Sequence, residues 1–150
     1  MMNQTTGTQM KHVTTIEQLE LAKHIRQRVF VDEQGVALAD EFDAYDRLDG
    51  ACTHMLVYYN GQPAGTGRWR LVDGTAKLER ICLLPEFRKY GLGSFLINAL
   101  EQQAREQGLR HFQLHGQSQA APFYEKLGYR IFSVPFMEDG IEHVWMIREL

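Results

Sequence analysis

The chain has 150 residues, of which 44% are hydrophobic and 23% charged, with a formal net charge of −3. That length and balance suit one domain with a single core and exclude collagenous, disordered and bilayer-spanning chains, since no apolar run reaches the ~18 residues a span needs. Lys and Arg are scattered instead of forming a basic stripe for nucleic acid, and Cys52 and Cys82 stand in no CxxC or other metal-like spacing.

Residues 1–9 are polar, with neither an apolar stretch nor a basic leader, and read as a flexible tail of a cytoplasmic protein ahead of one domain at 10–150. Lys11 to Thr14 is a short strand candidate. Thr15 then opens a helix with a capping-box pattern completed by Gln18, and Ile16, Leu19, Ala22, Ile25 and Val29 follow at helical spacing. From Val31 to Gly50 the pattern turns acidic and irregular, which predicts a structured loop or short helix. Three strand-like runs follow, Thr53 to Tyr59, Ala64 to Val72 and Ala76 to Leu84, separated by Asn60-Gly61 and Asp73-Gly74 turns.

After Pro85 a glycine-flanked segment opens a helix whose Leu92, Phe95, Leu96, Ala99, Leu100 and Ala104 share a face, with Gly108 as its stop. His111 to His115 reads as a strand and Ser118 to Leu127 as a helix. Tyr129 to Pro135 and Ile141 to Arg148 read as a hairpin around Asp139-Gly140. This order predicts an α+β (mixed α/β) domain. A right-handed crossover makes strands four and five parallel in a mostly antiparallel sheet of about six or seven strands, with helices on both faces.

The segment Arg88-Lys89-Tyr90-Gly91-Leu92-Gly93-Ser94 places two cations and two glycines where a helix starts just after a buried strand. Unpaired N–H groups, the positive end of the helix dipole and close backbone approach make this a site for a pyrophosphate or similar polyanion. Spacing rejects two phosphate loops: GxxxxGK[ST] is absent, and Gly91-Leu92-Gly93 meets Leu96 where GxGxxG needs its third glycine. A helix that merely starts with glycines is the plain alternative.

Arg88-Lys89-Tyr90-Gly91-Leu92-Gly93 resembles the [RQ]xxGx[GA] signature of the GNAT superfamily of acyl-CoA N-acyltransferases. Leu83-Leu84-Pro85 resembles its lead-in, and Phe123-Tyr124-Glu125-Lys126-Leu127-Gly128-Tyr129 its FYEKLGF run. The likeness covers nearly the whole chain and the GNAT element order. Arg28-Val29-Phe30-Val31-Asp32-Glu33-Gln34, Glu41-Phe42-Asp43, Leu114-His115-Gly116-Gln117 and Gly140-Ile141-Glu142-His143 are similar to the bacterial branch of the ElaA and YjcF type.

The resemblance implies acetyl transfer from acetyl-CoA, as co-substrate, to a primary amine on a small molecule or peptide. No metal, nucleic acid or membrane is expected to take part. It places the pantetheine arm along Ile81, Cys82 and Leu83, the pyrophosphate on Arg88 to Ser94, and further coenzyme contacts at Gln117 and Phe123. Tyr124 reads as the acid that protonates the departing thiolate, or as a packing aromatic. Glu79 reads as the base, because strict alternation sets it on one face with Ile81 and Leu83, or as a Glu salt-bridged to Arg68 or Arg80. Phe30, Arg68, His115 and His143 are candidate acceptor contacts, with a sheet-face salt bridge the alternative for Arg68 and structural roles for the histidines. The last hairpin offers a surface for a homodimer.

Two other functions stay open on this sequence. Arg28-x-Phe30 with Glu41-x-Asp43-x-x-Asp46 resembles the N-terminal pattern of acyl-homoserine-lactone synthases, and a domain of this kind could instead sense acyl-CoA without turnover.

Overall fold

A computed structural model describes residues 7–150. Strand β1 (Thr8–His12) is followed by helix α1 (Ile16–Arg26), which unwinds into a π-helical segment at Gln27–Glu33, and by the single turn α2 (Leu38–Glu41). A meander of β2 (Thr53–Tyr59), β3 (Gln62–Val72) and β4 (Thr75–Leu83) leads to α3 (Leu92–Glu106), β5 (His111–Gln117) and α4 (Ala121–Lys126). The chain closes with β6 (Arg130–Ile131), β7 (Phe136–Glu138) and β8 (Ile141–Glu149).

These strands make one eight-stranded sheet in the order β1-β2-β3-β4-β5-β8-β6, with β7 also on β8. All pairs are antiparallel except β4 with β5, as the crossover through α3 requires. The strand count exceeds six or seven because the run after Tyr129 breaks into β6 and β7 on the same edge of β8. Thr8 and Gln9, taken from sequence as tail, lie opposite Tyr59 and Tyr58 in β1. The rest of the tail, residues 1–6, lies outside the described residues.

Local chemistry explains the elements. Thr15 accepts from the Gln18 amide while the Gln18 side chain accepts from the Thr15 amide, so two orphan donors of α1 are satisfied reciprocally. Gly91, at φ 72°, starts α3 without a side-chain cap and leaves the first amides of that helix uncapped. One face of α3 buries Leu92, Leu96, Ile97, Leu100 and Ala104 against Met55, Trp69, Leu78, Phe112, Leu114 and Met146. On the other face of the sheet α1 sets Ala22 and Ile25, and the π-helical segment Val29, over Leu56, Cys82 and Leu84. Both thiols are buried, and burial pushes each up to about 12, which makes them small core side chains and not nucleophiles.

Buried Glu101 of α3 accepts from the Tyr129 hydroxyl at 2.6 Å and from Arg148 at 2.6 Å, tying the crossover helix to the end of the chain. Gly65 of β3 lies opposite Leu83 of β4 with no room for a side chain. A Cβ there would sit 2.5 Å from Leu83 Cδ2 and 2.6 Å from the Cys82 carbonyl oxygen. Gly65→Ala is therefore expected to force the strands apart and cost about 1–3 kcal/mol, read as a lowered urea midpoint at unchanged slope.

Candidate functional site

Strand β4 pairs with β5 only over Ala76, Leu78 and the residue between them, against Phe112 to Leu114. Beyond that the strands part, and a cavity of about 460 Å3 opens between Leu78–Leu83 on one side and Leu114–Gln117 on the other. A β-bulge sits at the fork: the β3 partner of Cys82 is Thr66 and that of Glu79 is Arg68, so Gly67 faces both Arg80 and Ile81. Arg80 takes φ 55°, a conformation that L side chains pay for.

The bulge corrects the face assigned to Glu79. Ile81 and Leu83 pack on the α3 core, whereas Glu79 lies on the opposite face. There its carboxylate meets Arg68 and Arg70 at 3.1 Å each and Lys77 at 3.3 Å. Burial alone would raise this carboxyl, but Arg68, the Arg70 hydrogen bond and Lys77 outweigh it and hold it below the ordinary carboxylate range. A carboxylate so committed is a poor proton acceptor, and its geometry is that of the salt-bridged alternative. Arg68 is no free contact either. Its fork is spent on Asp43, Asp46 and Glu79, and it is 2% exposed.

Arg26 extends this network, bonding Glu41 at 3.0 Å and bridging to Asp46. The acidic pattern of residues 41–46 is thus the inner lining of the segment that covers the sheet. Asp43 is held at about 2: its partial burial is overcome by the hydrogen bonds and charge of Arg68. Burial raises the Glu41 carboxyl against the pull of Arg80 and Arg26, and its Oε1, 3.8 Å from Arg80, has no hydrogen-bond partner among the described residues.

At the other end of the cavity stand Arg88, Gly91, Leu92, Gly93 and Ser94, with the uncapped amides of α3. Arg88 is paired bidentately with Glu33 at 2.6 Å, and its Nε donates to the Leu83 carbonyl. Lys89 and Tyr90 are not among the lining residues: Tyr90 stacks on Tyr59 at 4.2 Å and Lys89 lies over the Tyr90 ring. Phe123 closes over Gly93, where a Cβ would meet its ring at 3.0 Å.

Tyr124 lies against Gly116 at the fork, and burial pushes its phenol up to about 12, so it is protonated at neutral pH. Gln117 donates to Gln34 and accepts from Gln119. Phe30, on the π-helical segment, lines the cavity from above. His115 and His143 flank Glu138, at 2.8 and 3.8 Å.

The structure therefore brings together Ile81, Cys82, Leu83, Arg88, Gly91 to Ser94, Gln117, Phe123, Tyr124, Phe30 and both histidines around one cavity. Sequence reasoning missed Glu33, Gln34, Arg80 and Glu138. The first two were within reach, since they close the Arg28 to Gln34 run, but Glu138 enters only through the register of β7 on β8.

The sequence matches the acetyltransferase (GNAT) domain family over residues 17–150. It is 55% identical over 141 residues to the uncharacterized protein YyaT of Bacillus subtilis, covering 94% of this chain and 95% of that one. It is 43% identical over 134 residues to the uncharacterized N-acetyltransferase YjcF of the same organism, covering 89% and 94%. The crystal structure of Escherichia coli ElaA superimposes with a TM-score of 0.80 at 26% identity, covering 95% of this chain and 98% of that one.

The ion network carries a pH dependence. The folded Asp43 carboxyl titrates at about 2, against ~3.9 when unfolded, and the Asp46 and Glu79 carboxyls are lowered too. At these three groups the folded state binds fewer protons, a stabilisation present above about pH 4 and lost as pH falls towards 2, whereas the raised Glu41 carboxyl acts in the opposite sense and at higher pH. Urea midpoints measured from pH 7 to 2 are expected to fall mainly in that window, and Asp43→Asn to reduce the drop.

Proposed function

The chain belongs to the GNAT acetyltransferase family, and from that premise we propose that it moves the acetyl group of acetyl-CoA to a primary amine by direct attack on the thioester. The observation that carries this reading is the fork between β4 and β5. It offers an unpaired strand edge for an extended pantetheine arm, ending at a helix N-terminus and an arginine suited to pyrophosphate. Backbone groups of Ile81 to Leu83 hold the arm, and one N–H there faces the thioester oxygen and stabilises the oxyanion. Arg88 and the amides from Leu92 to Ser94 hold the diphosphate, with Phe123 and Gln117 along the flank.

Tyr124 is the proton relay to sulfur. A thiol titrates near 8.5, so a phenol at about 12 does not drive the transfer by acidity. It hydrogen-bonds the leaving sulfur and passes on the proton of the positively charged nitrogen in the tetrahedral intermediate. The amine enters from the side of Phe30, His115 and His143, and is a small metabolite or a peptide amine.

Two measurements test this. Acetyl-CoA at about 100 times its Kd is expected to stabilise the protein by about 2.7 kcal/mol, a melting-temperature rise of roughly 5–11 °C. Gly91→Asp places negative charge at the phosphate site where a Cβ meets open space. It is expected to abolish the rise at a folding cost of about 1 kcal/mol. In a thiol-release assay over an amine panel, Tyr124→Phe is expected to lower kcat by about 100-fold with the coenzyme-induced shift retained. Absence of any shift in the unmutated protein sinks the coenzyme assignment; a shift without thiol release on any amine favours a sensor.

A further inference from the structure

An amine is mostly ammonium at neutral pH and must lose a proton before it attacks, and Glu79 is committed to three cations. We propose that His115, held by Glu138, is the group that takes this proton; the assignment rests on the acetyl-transfer reading above.

His115 leaves β5 at the first position after the strand parts from β4. Its ring lines both the coenzyme cavity and a second, polar cavity of about 290 Å3 that also contacts Leu78, Glu79, Arg80 and Glu138. It therefore stands at the junction an acceptor must cross to reach the thioester. Phe136 and Trp145 hold the ring edge-on, at 5.1 and 5.6 Å between centroids. Nδ1 is 2.8 Å from Glu138 Oε1. A carboxylate only accepts, so Nδ1 carries the hydrogen and the neutral ring keeps its lone pair on Nε2. Nε2 has no hydrogen-bond partner among the described residues.

His143 also keeps an Nε2 outside hydrogen-bond distance, 3.8 Å from Glu138, but it lines the coenzyme cavity alone, so the acceptor singled out by lining both cavities is His115. From β4, Lys77 and Arg80 are cations and Glu79 is ion-paired. From the β7–β8 hairpin, Glu138 holds Nδ1, Asp139 faces Arg80 at 3.8 Å, and His143 donates Nδ1–H to the Ile141 carbonyl. From α4, Tyr124 is protonated. Asp43 and Arg68 close the far end, bonded to each other.

In the step itself, Nε2 takes one proton from the ammonium, giving imidazolium and free amine. The amine lone pair forms the C–N bond at the thioester carbonyl carbon, the C–S bond breaks with its electron pair on sulfur, and the remaining extra proton on nitrogen reaches sulfur through Tyr124. Imidazolium returns its proton to solvent. Glu138 is a positioning residue in this scheme.

The test uses the full chain with acetyl-CoA and the amine turned over fastest in a panel of diamines, amino acids and short peptides. His115→Ala is expected to lower kcat by about 100-fold or more, to remove the acidic limb of the pH–rate profile, and to regain activity on adding imidazole. The coenzyme-induced melting shift is expected to stay. His115→Gln, which keeps a polar side chain, serves if the alanine variant does not fold, and Glu138→Gln is expected to lower kcat less than either. Folded variants with unchanged kcat and pH profile overturn the proposal. If the unmutated protein acetylates no amine, the acetyl-transfer reading fails instead. In a protein that does acetylate an amine, the 15N shifts of the His115 ring are expected to place the hydrogen on Nδ1, and hydrogen on Nε2 overturns the His115 assignment alone.

Discussion

Two parallel strands that stay paired along their length leave no room between them, and β4 and β5 stay paired for three residues only. Everything at the site follows from that early parting. The crossover through α3 forces the two strands to be parallel neighbours, so the fork opens beside the start of α3, where uncapped amides already wait for an anion. The bulge at Arg80 turns β4 just beyond Leu78, the last residue paired with β5, and small residues let its surroundings accept the bend. Gly67 opposes it where a Cβ would crowd Leu100 at 3.0 Å, and Gly116 leaves space for Tyr124 on the far bank.

The second requirement is a wall. The chain between the π-helical segment and β2 has few apolar anchors, with Val36 and Cys52 buried but Leu38, Tyr45 and Leu48 exposed. Its attachment is electrostatic: Arg26 from α1 and Arg68 from β3 reach into it and share Asp46, with Glu41 and Asp43 as the outer partners. Buried pairs of this kind are weak sources of net stability but costly to break singly, which favours one arrangement over its alternatives. Glu79, drawn into the same network, is fixed as part of the wall.

Much of this was legible in the sequence. The meander came from two turn dipeptides, the crossover from a strand, a long amphipathic helix and a strand, and the anion site from Arg88, Gly91 and Gly93 at a helix start. What failed was the step from strand register to face. Alternation predicts that Glu79, Ile81 and Leu83 look the same way, and a single residue with positive φ, Arg80, reverses Glu79 alone. No composition rule marks an arginine for that conformation. Glu138 escaped for a related reason: it reaches the site from a broken edge strand whose register on β8 local periodicity does not encode.

That broken edge has a consequence for how the molecule meets others. The outer side of β8 is taken up from Ile141 to Ile147: β7 takes residues 141–143, Phe132 and Ser133 bond the carbonyl and amide of Trp145, and β6 takes Met146 and Ile147. What faces outward is two strands of two and three residues with Pro135 between them, too short and too kinked to template another strand. The sheet is in effect sealed against growth at this end. Recognition there has to run through side chains such as Phe132, Val134 and Met137, which gives a surface that can be retuned residue by residue without disturbing the strand ladder beneath it.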